Sequence, residues 1–230
     1  MSDRFGKFTY YGNPFIGFYA RTNNSVTLIS VSAPEKFSRM GDILGTKIVS
    51  TIISECPLIG LYCVMNSKGV LISNVVDERE IDRLKEALRE AGSDINVARF
   101  KSNFTAIGNN IAVNDKGALI NPDMANDTTA KEIADVLEVD IEARTIAGYK
   151  TVGAAVAATN KGFLAHPHIS EDEANALKSL FGVDGGVGTV NGGMPFASLG
   201  IVANDKGVVF GESTTGFELH RIEESLGLIK

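Results

Sequence analysis

Hydrophobic and polar positions repeat along this chain with a period of about 46 residues. In each period an aliphatic residue followed by glycine opens an apolar run, which predicts a strand. Four of the five runs then reach a polar turn ending in glycine, and a second short apolar run follows, so each pair of runs predicts a β-hairpin. The aliphatic–glycine pairs are Ile16-Gly17, Ile59-Gly60, Ile107-Gly108, Val152-Gly153 and Leu199-Gly200, at spacings of 43, 48, 45 and 47 residues.

The polar turns carry a shared signature of asparagine, aspartate, lysine and glycine. Asparagine, aspartate and glycine tolerate the positive φ that tight hairpins need, so we expect left-handed residues in these turns. The first repeat has Asn23-Asn24-Ser25 in place of this signature. The other four turns are Asn66-Ser67-Lys68-Gly69, Asn114-Asp115-Lys116-Gly117, Asn160-Lys161-Gly162 and Asn204-Asp205-Lys206-Gly207.

An amphipathic helix is predicted after each hairpin. In the second repeat Ile81, Leu84 and Leu88 fall on one face of such a helix. Pairs of residues three apart predict capping boxes at four helix starts, namely Asp77 with Glu80, Thr129 with Glu132, Ser170 with Glu173 and Thr215 with Glu218. A further strand is predicted 13 or 14 residues before each motif glycine, starting at Arg4, Lys47, Ile95, Asp140 and Gly186.

Units of this size cannot bury a sheet face and a helix alone, so they must pack on their neighbours. Neither terminus has the polar character of a solenoid cap. The sequence therefore predicts one α/β domain, 1–230, built as a closed five-fold pseudo-symmetric propeller with strands around the axis and helices outside. The approximate repeats are 1–46, 47–94, 95–139, 140–185 and 186–230. The motif glycines are expected to permit close backbone approach near the axis.

Composition and charge narrow the class of partner. With 44% hydrophobic and 22% charged residues the chain is typical of a globular protein. The net charge of −6 argues against phosphate contacts as the main source of binding energy. No apolar stretch is long enough to span a membrane. Two cysteines cannot build a disulfide framework and no secretory signal is recognisable, so we expect a cytoplasmic protein.

The stretches Thr105-Ala106-Ile107-Gly108-Asn109 and Gly188-Thr189-Val190-Asn191 are two of several motifs that resemble the translation initiation factor 6 family in its archaeal form. The resemblance extends over nearly the whole chain and is weakest from about residue 18 to residue 45. It implies the pentein fold, which agrees with the five repeats. The other motifs are the stretch from Asn114 to Pro122, Ile133-Ala134-Asp135-Val136-Leu137, Thr159-Asn160-Lys161-Gly162, His166-Pro167 and Thr214-Thr215-Gly216-Phe217-Glu218-Leu219.

The resemblance also implies a role that is not enzymatic. Family members bind the large ribosomal subunit on its intersubunit face, chiefly through a ribosomal protein near the sarcin–ricin loop, and block joining of the small subunit. Members in eukaryotes also act in large-subunit maturation. We therefore expect a ribosome-binding monomer with limited rRNA contact and no membrane contact, and with no catalytic residue, cofactor or metal.

In the family, contacts come from one end of the ring. Asn109 lies in the family's motif, and pseudo-symmetry places Leu61 and Ala155 near it. Asn13 precedes the first motif glycine, and Asn191 and Phe196 precede the fifth, so they are further candidates. A competing interpretation is that the asparagines only cap turns. The ribosome-binding candidates are Asn13, Leu61, Asn109, Ala155, Asn191 and Phe196.

The rival hypotheses are an enzyme and an unrelated binding module. Other penteins modify guanidino groups with a cysteine nucleophile near the C-terminus, but Cys56 and Cys63 lie in the second repeat and the last repeat has none. A buried role for Cys63 is expected instead. His166 and His168 are two potential metal ligands without an evident third. The turn lysines (Lys68, Lys116, Lys161, Lys206) are either solvated or a ring of phosphate contacts. A module unrelated to ribosomes would share every fold-level feature.

Overall fold

The repeating hairpins form five three-stranded sheets. The computed structural model describes residues 4–229, apart from the side chain of Asp127. Within that range the strands are β1 (Phe5–Phe8), β2 (Ala20–Thr22), β3 (Val26–Ser30), β4 (Lys47–Thr51), β5 (Cys63–Met65), β6 (Gly69–Ile72), β7 (Asn96–Arg99), β8 (Ile111–Val113), β9 (Gly117–Ile120), β10 (Asp140–Ala143), β11 (Val156–Ala158), β12 (Phe163–Ala165), β13 (Gly185–Val187), β14 (Ile201–Ala203) and β15 (Val208–Gly211).

The helices fall into two kinds, long amphipathic ones and single turns. The α-helices are α1 (Met40–Leu44), α2 (Ile59–Tyr62), α3 (Glu78–Glu90), α4 (Ile107–Asn110), α5 (Asp127–Leu137), α6 (Val152–Ala155), α7 (Glu171–Phe181), α8 (Ala197–Gly200) and α9 (Gly216–Ser225). Short 3-10 segments occupy Ile16–Phe18, Glu35–Arg39 and Pro122–Met124.

Each sheet joins an antiparallel hairpin to the leading strand of the next repeat, which pairs in parallel. The sheet orders are β2-β3-β4, β5-β6-β7, β8-β9-β10, β11-β12-β13 and β14-β15-β1. In the last of them the first strand of the chain pairs with the last, and Phe5 lies opposite Val208. The predicted leading strands are confirmed, and the N-terminal one closes the ring.

The inner strands β2, β5, β8, β11 and β14 contact one another in turn and surround a central channel. The longer helices lie outside, each wedged between its own sheet and the preceding sheet. The predicted Ile81, Leu84 and Leu88 face of α3, for example, is buried against β3 and β4 on one side and β5 to β7 on the other. The predicted fold class, a five-fold α/β propeller of the pentein type, is confirmed.

The motif glycines do not begin strands, contrary to the prediction. Gly17, Gly60, Gly108 and Gly153 are the second residue of a single helical turn, and the inner strand starts three residues later. Superposing the turns by position also shows that the fifth glycine was assigned wrongly. Its equivalent is Ser198, the second residue of α8, rather than Gly200.

These glycines permit the close approach that the sequence predicts. A Cβ added to Gly60 would overlap the carbonyl oxygen of Gly17, and one on Gly108 would overlap that of Gly60. The same relation links Gly153 to Gly108 and Gly17 to Ser198. Backbone carbonyls therefore meet helical turns directly around one end of the axis, with no space for a side chain between them.

Buried amides close the other end of the ring. Asn66 accepts the N–H groups of Lys68 and Gly69 at 2.9 and 3.1 Å, which shapes its own hairpin. Its amide nitrogen donates to the carbonyls of Asn114 and Leu137 at 3.2 and 2.8 Å, both in the next repeat. Asn114 and Asn204 repeat this pattern towards their next neighbours. Asn23 donates only to the carbonyl of Asn66, and Thr159 takes the fourth position. We call these four asparagines the amide relay.

The positive φ expected in these hairpins is absent among the residues that the structure describes, so that prediction is wrong. The hairpin glycines are required for space instead. A Cβ on Gly69 would overlap the carbonyl oxygen of Val136 in α5, and one on Gly162 would overlap that of Ser225 in α9. Each hairpin glycine therefore lets the C-terminal turn of the helix from the following repeat pack directly on the strand backbone.

We predict that Gly108→Ala destabilises the ring by about 3 kcal/mol or more, because the new methyl group meets fixed backbone rather than a movable side chain. Gly216→Ala is the matched control, since nothing lies within 4 Å of its added Cβ and its φ is not positive. The control should be neutral or slightly stabilising. Urea unfolding of both variants measures the difference, and equal midpoints would contradict the close approach.

Removing one member of the amide relay should cost about 3 kcal/mol. Asn114→Ala leaves the N–H groups of Lys116 and Gly117 and the carbonyls of Thr159 and Phe181 buried without partners. Asn74→Ala is the control, because that exposed amide makes a single bond, to the carbonyl of Ser102. The control should change the free energy of unfolding by less than about 0.5 kcal/mol in the same titration.

Candidate functional site

One end of the ring carries the single-turn helices and the turns that precede them. We call this end the rim face. Four of these turns are closed by isolated bridges, at 10–13, 53–56, 146–149 and 190–194. In each sheet the two parallel strands run towards the rim face, so the loops that follow them also lie there.

The left-handed residues of the chain concentrate in these rim turns. Tyr11, Ser54, Glu55, Ala147 and Asn191 all have φ between 48° and 54°. Two adjacent residues with positive φ are typical of a type I′ turn, whose twist matches the strands it joins. The sequence analysis placed this conformation at the opposite end of the ring, because the asparagine–glycine pattern there is stronger.

Helix glutamates hold the rim turns. Glu80 accepts the N–H groups of Ser54 and Glu55 at 2.9 and 3.1 Å. Glu173 accepts that of Ala147 at 2.8 Å. Because a tight turn leaves inward-facing N–H groups without backbone partners, these carboxylates fix the shape of the rim face from behind.

The capping predictions are confirmed in part. Reciprocal capping boxes form between Ser170 and Glu173 and between Thr215 and Glu218. Asp77 caps α3, although Glu80 turns away to the rim turn. The Thr129 prediction is wrong, because α5 begins earlier and is capped by Asn126.

Glu218 is the most heavily bonded of these carboxylates. It accepts the N–H groups of Gly192, Gly193 and Thr215 and the hydroxyl of Thr189, at 2.8 to 3.1 Å. Burial by itself raises the pKa of Glu218, but these donors outweigh burial and leave the pKa below its ordinary value of 4.5. The carboxylate is therefore charged at neutral pH and ties α9 to the rim turn of the fifth repeat.

Two of the predicted site residues lie together on the rim face. Leu61 in α2 and Asn109 in α4 occupy the same position of neighbouring single-turn helices, and both are half-buried. The Asn109 side chain makes no hydrogen bond within the described part of the chain. Its neighbour Asn110 is the structural amide, bonded to the carbonyl of Ala106 at 2.9 Å and to Asn121 at 2.7 Å.

Ala155 is not the equivalent of Leu61 and Asn109, so its placement is corrected. The equivalent residue of α6 is Ala154, which is 4% exposed. Ala155 is fully buried in the core between the third and fourth sheets. Counting from the motif glycine Gly153 gives Ala154 directly, so the choice of Ala155 was one residue too far along the chain.

Asn13 and Asn191 are engaged within the ring, as the competing interpretation expects. Asn13 donates to the hydroxyl of Tyr19 at 3.0 Å and accepts the N–H of Phe15 at 2.9 Å. Asn191 donates to the carbonyl of Pro14 at 2.9 Å, which links the fifth repeat to the first. Their side chains hold turns of the rim face in place.

Phe196 belongs to an aromatic cluster at the rim face. Its ring lies 5.0 Å from that of Tyr149 and 5.5 Å from that of His166, centroid to centroid. Burial, and then the neighbouring His168, lower the pKa of His166, so its imidazole is neutral at pH 7. In the described residues, no group of three or more histidine, cysteine, aspartate or glutamate side chains is placed to hold a metal ion.

Exposed apolar side chains on the rim face were missed by the sequence analysis. Tyr11 and Phe217 are 75% and 77% exposed, and Val31, Val75 and Tyr149 are also exposed. Tyr11 and Tyr149 stand beside a glycine in a rim turn, and this pattern could have revealed them. All five come after strands that end at the rim face, so they lie on one side of the molecule.

The cysteine and most of the lysines considered for an enzyme or for phosphate binding have structural roles. Cys63 is fully buried, and burial raises the pKa of its thiol to about 12, so it is not a nucleophile at neutral pH. Three of the four turn lysines, Lys68, Lys116 and Lys206, bind the protein itself. Lys206 donates to the carbonyls of Asn24 and Gly45 at 2.7 and 2.8 Å, and Lys116 donates to that of Gly182 at 3.1 Å. They satisfy helix C-termini at the hairpin end.

Arg21 in the central channel is the residue that the sequence analysis overlooked. It is the middle residue of β2, where the other inner strands have Val64, Ala112, Ala157 and Val202. Its guanidinium donates to the carbonyls of Gly60, Gly108 and Cys63 at 2.7, 3.1 and 3.2 Å. A comparison of the five repeats at the position four residues after each helical-turn glycine would have found it.

None of the helices formed by residues 4–229 combines the length and the apolar character needed to cross a bilayer.

Comparison with known proteins identifies extensive similarity. Residues 5–225 match the model of the eIF-6 family. The chain is 42% identical over 222 residues to translation initiation factor 6 of Methanocaldococcus jannaschii, covering 96% of each chain. It is 38% identical over 221 residues to that of Pyrococcus abyssi, covering 96% of this chain and 97% of the relative. Among solved structures, DDAH from Pseudomonas aeruginosa in complex with citrulline aligns with 74% of this chain and 67% of its own, at a TM-score of 0.47 and 11% identity.

Acid should weaken the link between α9 and the rim turn. Because the pKa of Glu218 is lowered in the folded state, its stabilisation is present above pH 4.5 and is lost as the pH falls through the folded value. Glu218→Gln should therefore lower the free energy of unfolding by about 1–2 kcal/mol at pH 7, and the gap to the original protein should narrow below pH 4.5. Glu212→Gln, at an exposed carboxylate of the preceding loop, is the control. A gap that does not change between pH 7 and pH 3 would contradict this role.

Proposed function

This chain belongs to the eIF-6 family of translation initiation factors, and on that premise we propose that it binds the large ribosomal subunit and sterically prevents joining of the small subunit. The rim face is the docking surface, and it meets the intersubunit side of the large subunit, chiefly a ribosomal protein near the sarcin–ricin loop. The observation that carries the proposal is the collection of exposed apolar side chains on the same face as Leu61 and Asn109.

The chemistry of the rim face suits a protein partner. Exposed aromatic residues such as Tyr11, Tyr149 and Phe217 supply contact area at a low cost in conformational entropy, which is why they are enriched in protein interfaces. The unpaired amide of Asn109 adds a donor and an acceptor for a partner's backbone. The net charge of −6 favours approach to a basic ribosomal protein.

A steric blocker needs a rigid body more than a reactive group. Paired strands close this ring and buried glutamates fix the rim turns, so the docking surface is formed before binding. Lys116 and Lys206 already donate to the carbonyls that end α7 and α1 at the other end, which fits a limited contact with rRNA. We place this activity in the cytoplasm and assign it to a monomer, with large-subunit maturation as a second setting for the same contact.

Co-sedimentation with separated archaeal subunits tests the proposal. The protein should travel with the large subunit only, and it should reduce the joined-particle peak when magnesium is raised. If it stays at the top of the gradient with both subunits, the ribosomal function is overturned.

Substitutions on the rim face should weaken this binding without unfolding the ring. Leu61→Arg and Asn109→Asp should each raise the Kd for the large subunit tenfold or more, a loss of about 1.4 kcal/mol per factor of ten. Ser67→Arg and Asn96→Asp introduce the same residues at exposed positions near the hairpin end and should leave the Kd unchanged. If only the two control variants lose binding, the docking surface lies at the hairpin end and its assignment to the rim face is overturned.

A further inference from the structure

We propose that the central channel is a binding site for a small monovalent anion, such as a halide, held by the guanidinium of Arg21. The inference concerns the interior of the ring and does not depend on what the rim face binds. It rests on a half-buried cation inside the ring without a counter-charge, on a cavity beside it, and on donors that face that cavity.

Among the described side chains of residues 4–229, no carboxylate pairs with Arg21. Its three short hydrogen bonds go to the backbone carbonyls of Gly60, Gly108 and Cys63, which carry partial charges only. Within the part of the chain that the structure describes, no aspartate or glutamate lines the cavity around it. A guanidinium stays protonated in proteins, so a full positive charge lies inside the ring. Charges that are shielded from bulk water are normally paired, and Arg21 is half-buried where it faces the channel.

The cavity beside Arg21 has space for a ligand. It measures about 80 Å³, several times the roughly 10–15 Å³ that one water molecule requires. Small side chains of the other inner strands, including Ala112, Ala157 and Val202, create this space opposite the guanidinium. Any residue as long as arginine at those positions would fill it.

Two donors converge on this space. The second terminal nitrogen of Arg21, Nη1, lies 3.5 Å from the hydroxyl of Ser198, at the limit of a hydrogen bond. An N–H of Nη1 is therefore available to a ligand. Ser198 replaces the glycine found in the other four repeats, and its hydroxyl adds a donor next to the arginine. Together they supply two donors and one positive charge, the combination that a halide needs.

The two ends of the channel differ in charge, which locates the anion. A narrower cavity of about 40 Å³ at the hairpin end is lined by Asp115 and Asp205. Those carboxylates accept hydrogen bonds from Ser67, Asn24 and Asn160 at 2.6 to 3.1 Å and do not reach Arg21. Their negative charge disfavours an anion at that end, so the site lies against Arg21.

Bromide replacement tests the site directly. Crystals of the full chain grown in sodium bromide should show an anomalous difference peak in the channel, beside Arg21 Nη1 and Ser198 Oγ. A channel that contains only water, with bromide confined to the outer surface, would overturn the proposal. This measurement needs no variant.

A second test uses binding linkage. The Tm should rise and then saturate as chloride replaces gluconate at constant ionic strength, because an anion bound only to the folded state stabilises it. Arg21→Met should lose this rise, whereas Arg39→Met, at an exposed arginine, should keep it. An equal response of both variants to chloride would overturn the proposal, and if Arg21→Met does not fold the bromide crystals decide alone.

Discussion

The ring depends on buried amides that each bond to two neighbouring blades, a blade being one three-stranded sheet with its helix. Each asparagine of the relay shapes its own hairpin with its oxygen and reaches the next blade with its nitrogen. Since a buried polar group without a partner is costly, the hairpins cannot shift against one another without losing several bonds together. The close contact of Gly69 with α5, and its equivalents around the ring, follow from the spacing that the relay imposes.

The two ends of the ring consequently have different properties. At the hairpin end the polar groups, including lysines and aspartates, are occupied with neighbouring blades. At the rim face the turns are held from behind by glutamates, which leaves aromatic side chains and the Asn109 amide facing outward. The pseudo-symmetric fold therefore has one end whose polar groups are bonded within the ring and one end that is available for a partner.

The sequence was informative where the chemistry of each repeat is local. The order of strands and helices along the chain, the buried face of α3 and two capping boxes follow from spacing and residue type alone, whereas the pairing of each leading strand with the preceding hairpin was not predicted. Errors arose where one repeat departs from the others. Ser198 replaces the motif glycine, so Gly200 was taken as its equivalent. The choice of Ala155 has no such origin, because the fourth repeat keeps the motif and the residue was miscounted by one. Arg21 was missed because a single charged residue in an apolar strand becomes informative only when five strands face one channel. Positive φ was placed in the wrong turns because an asparagine side chain can shape a turn without it.

The pairing of β1 with β15 has a consequence for how the molecule is made. The first strand to leave a translating ribosome finds its parallel partner only when the last strand has been synthesised, about 200 residues later. Until then the chain is an open arc, with one unpaired strand at its start and a growing sheet at its end. Exposed strand edges of this kind associate readily with other chains. The nascent protein is thus most vulnerable to aggregation immediately before completion. Pairing of β15 with β1 then removes both exposed edges in one step.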